Sequence, residues 1–221
     1  MIPTNRRKPG SSSRRAEKIA VQLRQAIPEV RIELAHRSPW ELLVATILSA
    51  QCTDQRVNQV TPALFQRYPT PQSLAMAEKV DLEALIKPTG FYKSKAKNLL
   101  GCAQGVSTRF GGHVPNTMDE LTSLPGVGRK TANVLLGGVF GKPGLVVDTH
   151  VKRMANRLAL SRSRDPEQIE HDLQAIYPEA EWTAMSQRLL LHGRYVCLAR
   201  KPRCGACPLS DVCEWEGKIT R

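Results

Sequence analysis

A lysine and an aspartate carry the most pointed chemistry in this 221-residue chain. Residues 124–153, LPGVGRKTANVLLGGVFGKPGLVVDTHVKR, set Lys130 and Asp148 behind a turn with glycine at 126 and 128. An unprotonated amine is a nucleophile, and a nearby carboxylate can steady positive charge that develops on the carbon it attacks. Gly126 and Gly128 flank Val127 in a turn too tight for a run of side chains, where glycine permits positive φ and close approach of a ligand. The apolar segment 131–140 that follows reads as a helix. The backbone N–H groups of the turn, with Arg129 beside Lys130, then lie at a positive helix end that suits a phosphate oxygen.

The surroundings strengthen that reading. Thr117 and Glu120 have the spacing of a capping box for a short helix ending near Ser123, so helix, LPGVG turn and helix together resemble a helix-hairpin-helix. Asp148 stands directly before the helical segment 149–158 and is a good N-cap there. Capping and chemistry are compatible, because cap hydrogen bonds keep a carboxylate ionised. The Gly- and Pro-containing stretch 141–145 is the best internal linker and lies between the two residues, so a cleft between two helical lobes would bring both to one site. His150 follows closely and invites a pocket or proton-transfer role.

A second cluster lies near the C-terminus. Cys197, Cys204, Cys207 and Cys213 follow a C-x6-C-x2-C-x5-C pattern. Four thiols in so short a segment make a metal site or two disulfides, and the absence of a secretory signal together with a sizeable core disfavours disulfides. The spacing leaves zinc and a [4Fe–4S] cluster equally open. Arg200, Lys201 and Arg203 fill the largest gap, so the clamp displays positive charge whatever it binds. Cys52 and Cys102 fall within helical patterns and read as small core hydrophobes.

Lys and Arg outnumber Asp and Glu by 32 to 20, for a net charge of +12, which favours a polyanionic partner. With aromatic residues at 5%, broad base-stacking platforms of the single-strand-binding type are excluded. The longest uncharged runs fall short of the roughly 18 apolar residues of a membrane span. Residues 1–15 carry five Lys and Arg residues, no acid and a Ser-Ser-Ser run, and are expected to form a disordered basic arm. They hold no apolar run of the secretory kind and are not expected to be an organelle signal, which points to the cytoplasm.

From Ala16 onward the chain reads as capped helices without strand alternation, an all-α architecture. Ile19, Leu23 and Ile27 share one helical face that stops at Pro28. Ser38-Pro39 opens a helix over 40–50 that is apolar nearly all round and therefore central and buried. Thr61-Pro62, Thr70-Pro71 and Asp165-Pro166 repeat that start signal.

The segments LPGVGRKTANV, VDTHVKR and HGRYVCLARKPRCGACPL, with the four-cysteine spacing, resemble the endonuclease III family of the helix-hairpin-helix superfamily, bifunctional DNA glycosylases and abasic-site lyases. The resemblance runs from about Ala16 to Trp215 and includes LLVATILSAQCTDQRVN and GFYKSKAKNL. It implies a six-helix barrel domain over 32–143, an iron–sulfur domain over 16–31 and 144–221, and DNA bound in the cleft between them. It also implies one [4Fe–4S] cluster rather than zinc. By the matching positions Lys130 is the nucleophile and Asp148 its essential carboxylate, with duplex DNA carrying oxidised pyrimidines or abasic sites as substrate. Gln51 would fill the hole left by an extruded base, Phe91 would be the wedge, and Ser49 and Asp54 would line the lesion pocket with His150. The plainer reading of Phe91 is packing beneath its own loop. Thr89 departs from the apolar residue that many members carry in that loop. An adenine glycosylase of the same superfamily would keep the aspartate and cluster but lack Lys130. The resemblance further implies a monomer working at the bacterial nucleoid, without a membrane.

Overall fold

The computed structural model describes residues 9–219, with side chains from Arg14. Every regular element among the described residues is helical, so the all-α expectation holds. The helices are α1 Pro9–Ala26, α2 Pro39–Leu48, α3 Asp54–Arg67, α4 Pro71–Ala75, α5 Lys79–Ile86, α6 Tyr92–Arg109, α7 Met118–Thr122, α8 Arg129–Val139, α9 Thr149–Arg157, α10 Pro166–Ile176 and α11 Trp182–Tyr195. A 3-10 turn, Lys87–Thr89, joins α5 to the approach of α6. The described residues form two compact units, residues 32–144 and a second made of residues 9–31 with 145–219.

The 32–144 unit is built around α2. Ser38 caps it by accepting from the Glu41 N–H, Pro39 starts it, and every residue from Leu42 to Leu48 is buried. A helix without a polar face cannot border solvent, and α3, α6 and α8 pack around this one. Thr70 and Ser73 complete a reciprocal capping box at α4, as Thr70-Pro71 implied. Thr61-Pro62 is not a helix start. The Thr53 side chain already caps α3 at the Arg56 N–H, and Pro62 sits inside the running helix, held by the burial of Val60, Thr61 and Leu64. The missing N–H of an interior proline removes one helical bond, which that packing offsets.

The second unit packs α1 against α11, and α9 against α10 and α11, over a core that includes Ile19, Leu23, Val151, Met154, Ile169, Leu173 and Leu189. Asp165 caps α10 at the Glu167 N–H, as its Asp-Pro pair implied. Residues 9–15, expected to be disordered, instead form the first turns of α1, while 1–8 lie outside the described residues. The physical reason is an anchor. The Arg15 guanidinium donates to the carbonyls of Leu158, at 2.7 Å, and Ala159, at 3.2 Å, satisfying groups at the C-terminal end of α9. Arg188 does the same for the end of α1, donating to Ile27 O at 3.0 Å and Pro28 O at 3.3 Å.

Cys102 is fully buried on α6, and burial pushes its thiol up to about 12, in keeping with a core role. Cys52 lies in the turn after α2 rather than within a helix, half-buried and packed against the same core. Because Leu43 is fully enclosed by other apolar side chains, Leu43→Ala should destabilise the protein by about 2–5 kcal/mol. A urea melt checks this, and a loss below about 1 kcal/mol would show that α2 is not the centre of its unit.

Candidate functional site

The hairpin is built by size complementarity. On α6, Asn98, Gly101 and Gly105 share one face at helical spacing. A Cβ on Gly105 would lie 2.8 Å from Leu124 Cδ2, and one on Gly101 would lie 3.0 Å from Pro125 Cγ. The LPG segment therefore beds into a groove that larger residues would fill. Gly126 closes the turn at φ +78°, and a Cβ there would meet Asn98 Cβ at 2.7 Å, so both conformation and space require glycine. Val127 turns inward as a buried plug. Thr117 accepts from the Glu120 N–H at 3.3 Å and donates to its carboxylate at 2.6 Å, which caps α7 with a variant of the expected box.

Gly128 differs from Gly126. It has an extended backbone at φ −93°, a Cβ would meet nothing within 4 Å, and α8 begins from it without a side-chain cap. The space beside it is open to an approaching group. Arg129 and Lys130 occupy the first two positions of α8, with Lys130 exposed.

Gln51 and Phe91 lie in the same unit, each at a helix boundary. Gln51 is exposed in the turn between α2 and α3 at φ +52°, and Phe91 precedes α6 at φ +48°. Non-glycine residues seldom adopt this left-handed region, and such backbone strain concentrates at functional positions. Phe91 is 64% exposed, which removes the reading that it packs under its loop. Ser49 caps the end of α2 and donates to Thr46 O at 2.9 Å, while Asp54 opens α3.

In the other unit Asp148 caps α9. Its Oδ1 accepts from the N–H groups of His150 and Val151, both at 2.8 Å. Both bonds fall on one oxygen, so capping leaves the role of Oδ2 open. The His150 ring lies against Arg153, whose Nη2 is 3.2 Å from Nδ1. Guanidinium only donates, so Nδ1 accepts and a neutral ring carries its proton on Nε2. Burial holds this histidine below its ordinary pKa; the Arg153 and Arg194 charges act the same way, and Asp148 opposes them.

The four cysteines of the C-terminal segment line one partly open recess, bordered also by Trp215 and Lys218. Among the described residues, no three His, Cys, Asp or Glu side chains converge on a point that would hold a single ion. A recess walled by four thiols suits a cluster of several atoms. Burial pushes the Cys207 thiol up; the sulfurs of Cys197, Cys213 and Cys204 push the same way, against a backbone hydrogen bond at Leu209. A thiol held up in this way gains from a nearby positive centre. Arg157 of α9 donates to Cys197 Sγ at 3.1 Å and to Leu198 O at 2.8 Å, and stacks 3.8 Å from the Trp215 ring centre. Arg153 donates to Cys197 O at 3.1 Å and Gly193 O at 2.6 Å. His192, 1% exposed, places Nε2 at 3.5 Å from Cys207 Sγ, and burial drops its pKa to about 4, so it braces this segment as a neutral ring. Arg200, Lys201 and Arg203 are exposed on the intervening loop, with Lys201 also left-handed at φ +52°. The pinning by Arg153 and Arg157 was not foreseen, although both arginines stand on one face of α9 at i and i+4.

Residues 44–179 match the family described as HhH-GPD superfamily base excision DNA repair protein, and residues 197–213 match the iron–sulfur binding domain of endonuclease III. The chain is 50% identical over 208 residues to endonuclease III of Synechocystis sp. (strain ATCC 27184 / PCC 6803 / Kazusa), covering 94% of this chain and 95% of the relative. Its structure is similar to a non-covalent endonuclease III–DNA complex, with a TM-score of 0.88, 40% identity, and 91% and 95% of the two chains covered. It is likewise similar to a trapped endonuclease III–DNA covalent intermediate, with a TM-score of 0.86, 41% identity, and 90% and 95% covered. The match over 197–213 decides between the two metals that the spacing left open, in favour of iron–sulfur.

Two measurements probe this geometry. Gly126→Ala should lower stability by more than about 1 kcal/mol, whereas Gly128→Ala should change it by less than about 0.5 kcal/mol, because only the former meets a neighbour at positive φ. Equal melting temperatures for the two variants would contradict the turn described. Purified protein should be yellow-brown, absorb broadly near about 400 nm and contain about four irons per chain. Colourless protein with one zinc would overturn the cluster.

Proposed function

The chain belongs to the HhH-GPD superfamily of base excision DNA repair proteins and to its endonuclease III family, and on that premise we propose that Lys130 is the nucleophile and Asp148 the carboxylate of its glycosylase and abasic-site lyase reaction. It is a DNA glycosylase with lyase activity, and its cofactor is one [4Fe–4S] cluster. The substrate is duplex DNA carrying oxidised pyrimidines or abasic sites. The observation that carries the assignment is the exposed amine of Lys130 in the first turn of α8, two residues beyond Gly128.

A base within a duplex hides its glycosidic bond, so the damaged pyrimidine must leave the stack before reaction. Its place in the stack is filled by Gln51 and Phe91. Exposure and a left-handed backbone at both positions support that role, since a side chain that inserts must project from its own fold. Gly126, Gly128 and Arg129 hold a phosphate at the hairpin, and the open space beside Gly128 supports this. Ser49, Asp54 and His150 line the lesion pocket.

Lys130 Nζ attacks C1′ as the C1′–N bond breaks, and the base departs with the bonding electron pair and takes up a proton. Positive charge grows on the sugar during this step, and the Asp148 carboxylate stabilises it. Opening of the sugar ring leaves an imine between Nζ and C1′. The imine acidifies the C2′ proton, and its loss expels the phosphate at C3′, breaking the strand on the 3′ side. Water then returns the amine. Cys197, Cys204, Cys207 and Cys213 hold the cluster, which when bound fixes the intervening loop. Arg200, Lys201 and Arg203 on that loop meet DNA phosphates, supported by their exposure and by the net charge of +12. The protein acts as a monomer in the cytoplasm, at the nucleoid; no helix of the described residues is long and apolar enough to cross a membrane.

Borohydride should trap a covalent protein–DNA adduct, and Lys130→Ala should abolish adduct and incision while leaving duplex affinity within a few fold. Asp148→Asn retains a good N-cap, so stability should hold while the single-turnover rate falls by about 100-fold or more. Undiminished trapping by the first variant, or normal turnover by the second, would remove the corresponding role.

A further inference from the structure

Lys95 is a buried cation that the reaction above does not use. It stands on α6, 5% exposed, and its Nζ donates to Leu48 O and to Thr89 O, each at 2.8 Å. Leu48 is the last residue of α2, three before Gln51, and Thr89 is the last residue of the 3-10 turn, two before Phe91. Carbonyls at helix ends lack partners within their helix and lie at its negative pole, so an ammonium serves both needs. One side chain thereby ties together the ends of two elements, and Gln51, three residues beyond the first, and Phe91, two beyond the second, adopt a left-handed backbone.

The Phe91 side of this junction is tightly held. Thr89 is 2% exposed and donates through Oγ1 to Ile86 O at 2.8 Å, so the polar residue in this loop is satisfied within it. Burial draws the Lys95 ammonium below the ordinary lysine pKa, with Cys52 acting in the opposite direction. Apolar packing could join two elements without that desolvation cost, whereas a paired buried cation also fixes their register.

We infer that Lys95 is a positioning residue that locks the Gln51 turn and the Phe91 turn to each other, so that the two side chains enter the duplex as a single preset pair. This rests on the reading that Gln51 and Phe91 occupy the vacated stack. The ammonium binds the backbone at Leu48 and Thr89, and the effect on Gln51 and Phe91 passes through that backbone.

The test is a ratio. Single-turnover incision is measured on a base-paired oxidised pyrimidine and on a preformed abasic site, where less must be unstacked. Lys95→Met keeps chain length and apolar volume but removes the cation. It should retain cluster absorbance and undamaged-duplex affinity, incise the abasic site within about two-fold of the parent, and lose about ten-fold or more on the paired lesion. 2-Aminopurine beside the lesion should show correspondingly less unstacking. Added to Gln51→Ala/Phe91→Ala, Lys95→Met should lower the ratio little further, because the pair it positions is gone. An equal loss on both substrates, or no change in the ratio, would overturn the inference. Should the Met variant fail to fold, Lys95→Arg keeps the charge but spreads the two carbonyls, and the same ratio decides. If Gln51→Ala/Phe91→Ala itself leaves the ratio unchanged, the intercalation reading falls and the inference with it; if that pair lowers the ratio and Lys95→Met does not, only the inference falls.

Discussion

The start of α9 depends on one carboxylate oxygen. The first N–H groups of a helix have no partner within it, and Asp148 Oδ1 accepts from two of them at 2.8 Å. That holds the carboxylate still through one oxygen, as a group that stabilises transient positive charge requires. The nine residues of α9 extend about 14 Å, and Arg153 and Arg157 farther along fasten the segment of Cys197. Asp148 and the cluster loop are thus fixed to one short rod.

In the 32–144 unit the corresponding constraint is steric. Small residues on α6 let the LPG segment approach closely, and Gly126 continues the turn where no side chain fits. The direction of α8, and so the presentation of Lys130, follows from that seat. The lysine is held by the absence of bulk beneath the turn rather than by bonds of its own. Charge and shape divide the work between the units: a fixed anion in one, a closely bedded backbone turn in the other.

Much of this was legible where the signal is local. Ser38-Pro39, Thr70-Pro71 and Asp165-Pro166 mark helix starts because a side-chain acceptor and a preset φ act within a single turn. Thr61-Pro62 carries the same letters but lies inside α3, since Thr53 had already capped that helix and tertiary burial outweighs the local preference. The helical state of 9–15 was hidden because Arg15 finds its acceptors at Leu158 and Ala159, more than a hundred residues away. The groove on α6 and the buried bonds of Lys95 were hidden for the same reason: Gly101, Gly105 and Lys95 look unremarked until the partner segment is placed. At the candidate site, hairpin, cap and cysteine spacing were visible; the spacing by itself left the metal open, because four thiolates satisfy zinc and iron–sulfur alike, and the family resemblance was what pointed to [4Fe–4S].

The central claim is that the ε-amine of Lys130 becomes bonded to the sugar. The most direct measurement is to reduce the reaction intermediate with borohydride, digest the adduct with a protease and a nuclease, and locate the deoxyribose remnant by tandem mass spectrometry. The remnant is expected on Lys130, in a peptide spanning the turn from Leu124 and the start of α8. A remnant on any other lysine, or on the amine of Met1, would contradict it.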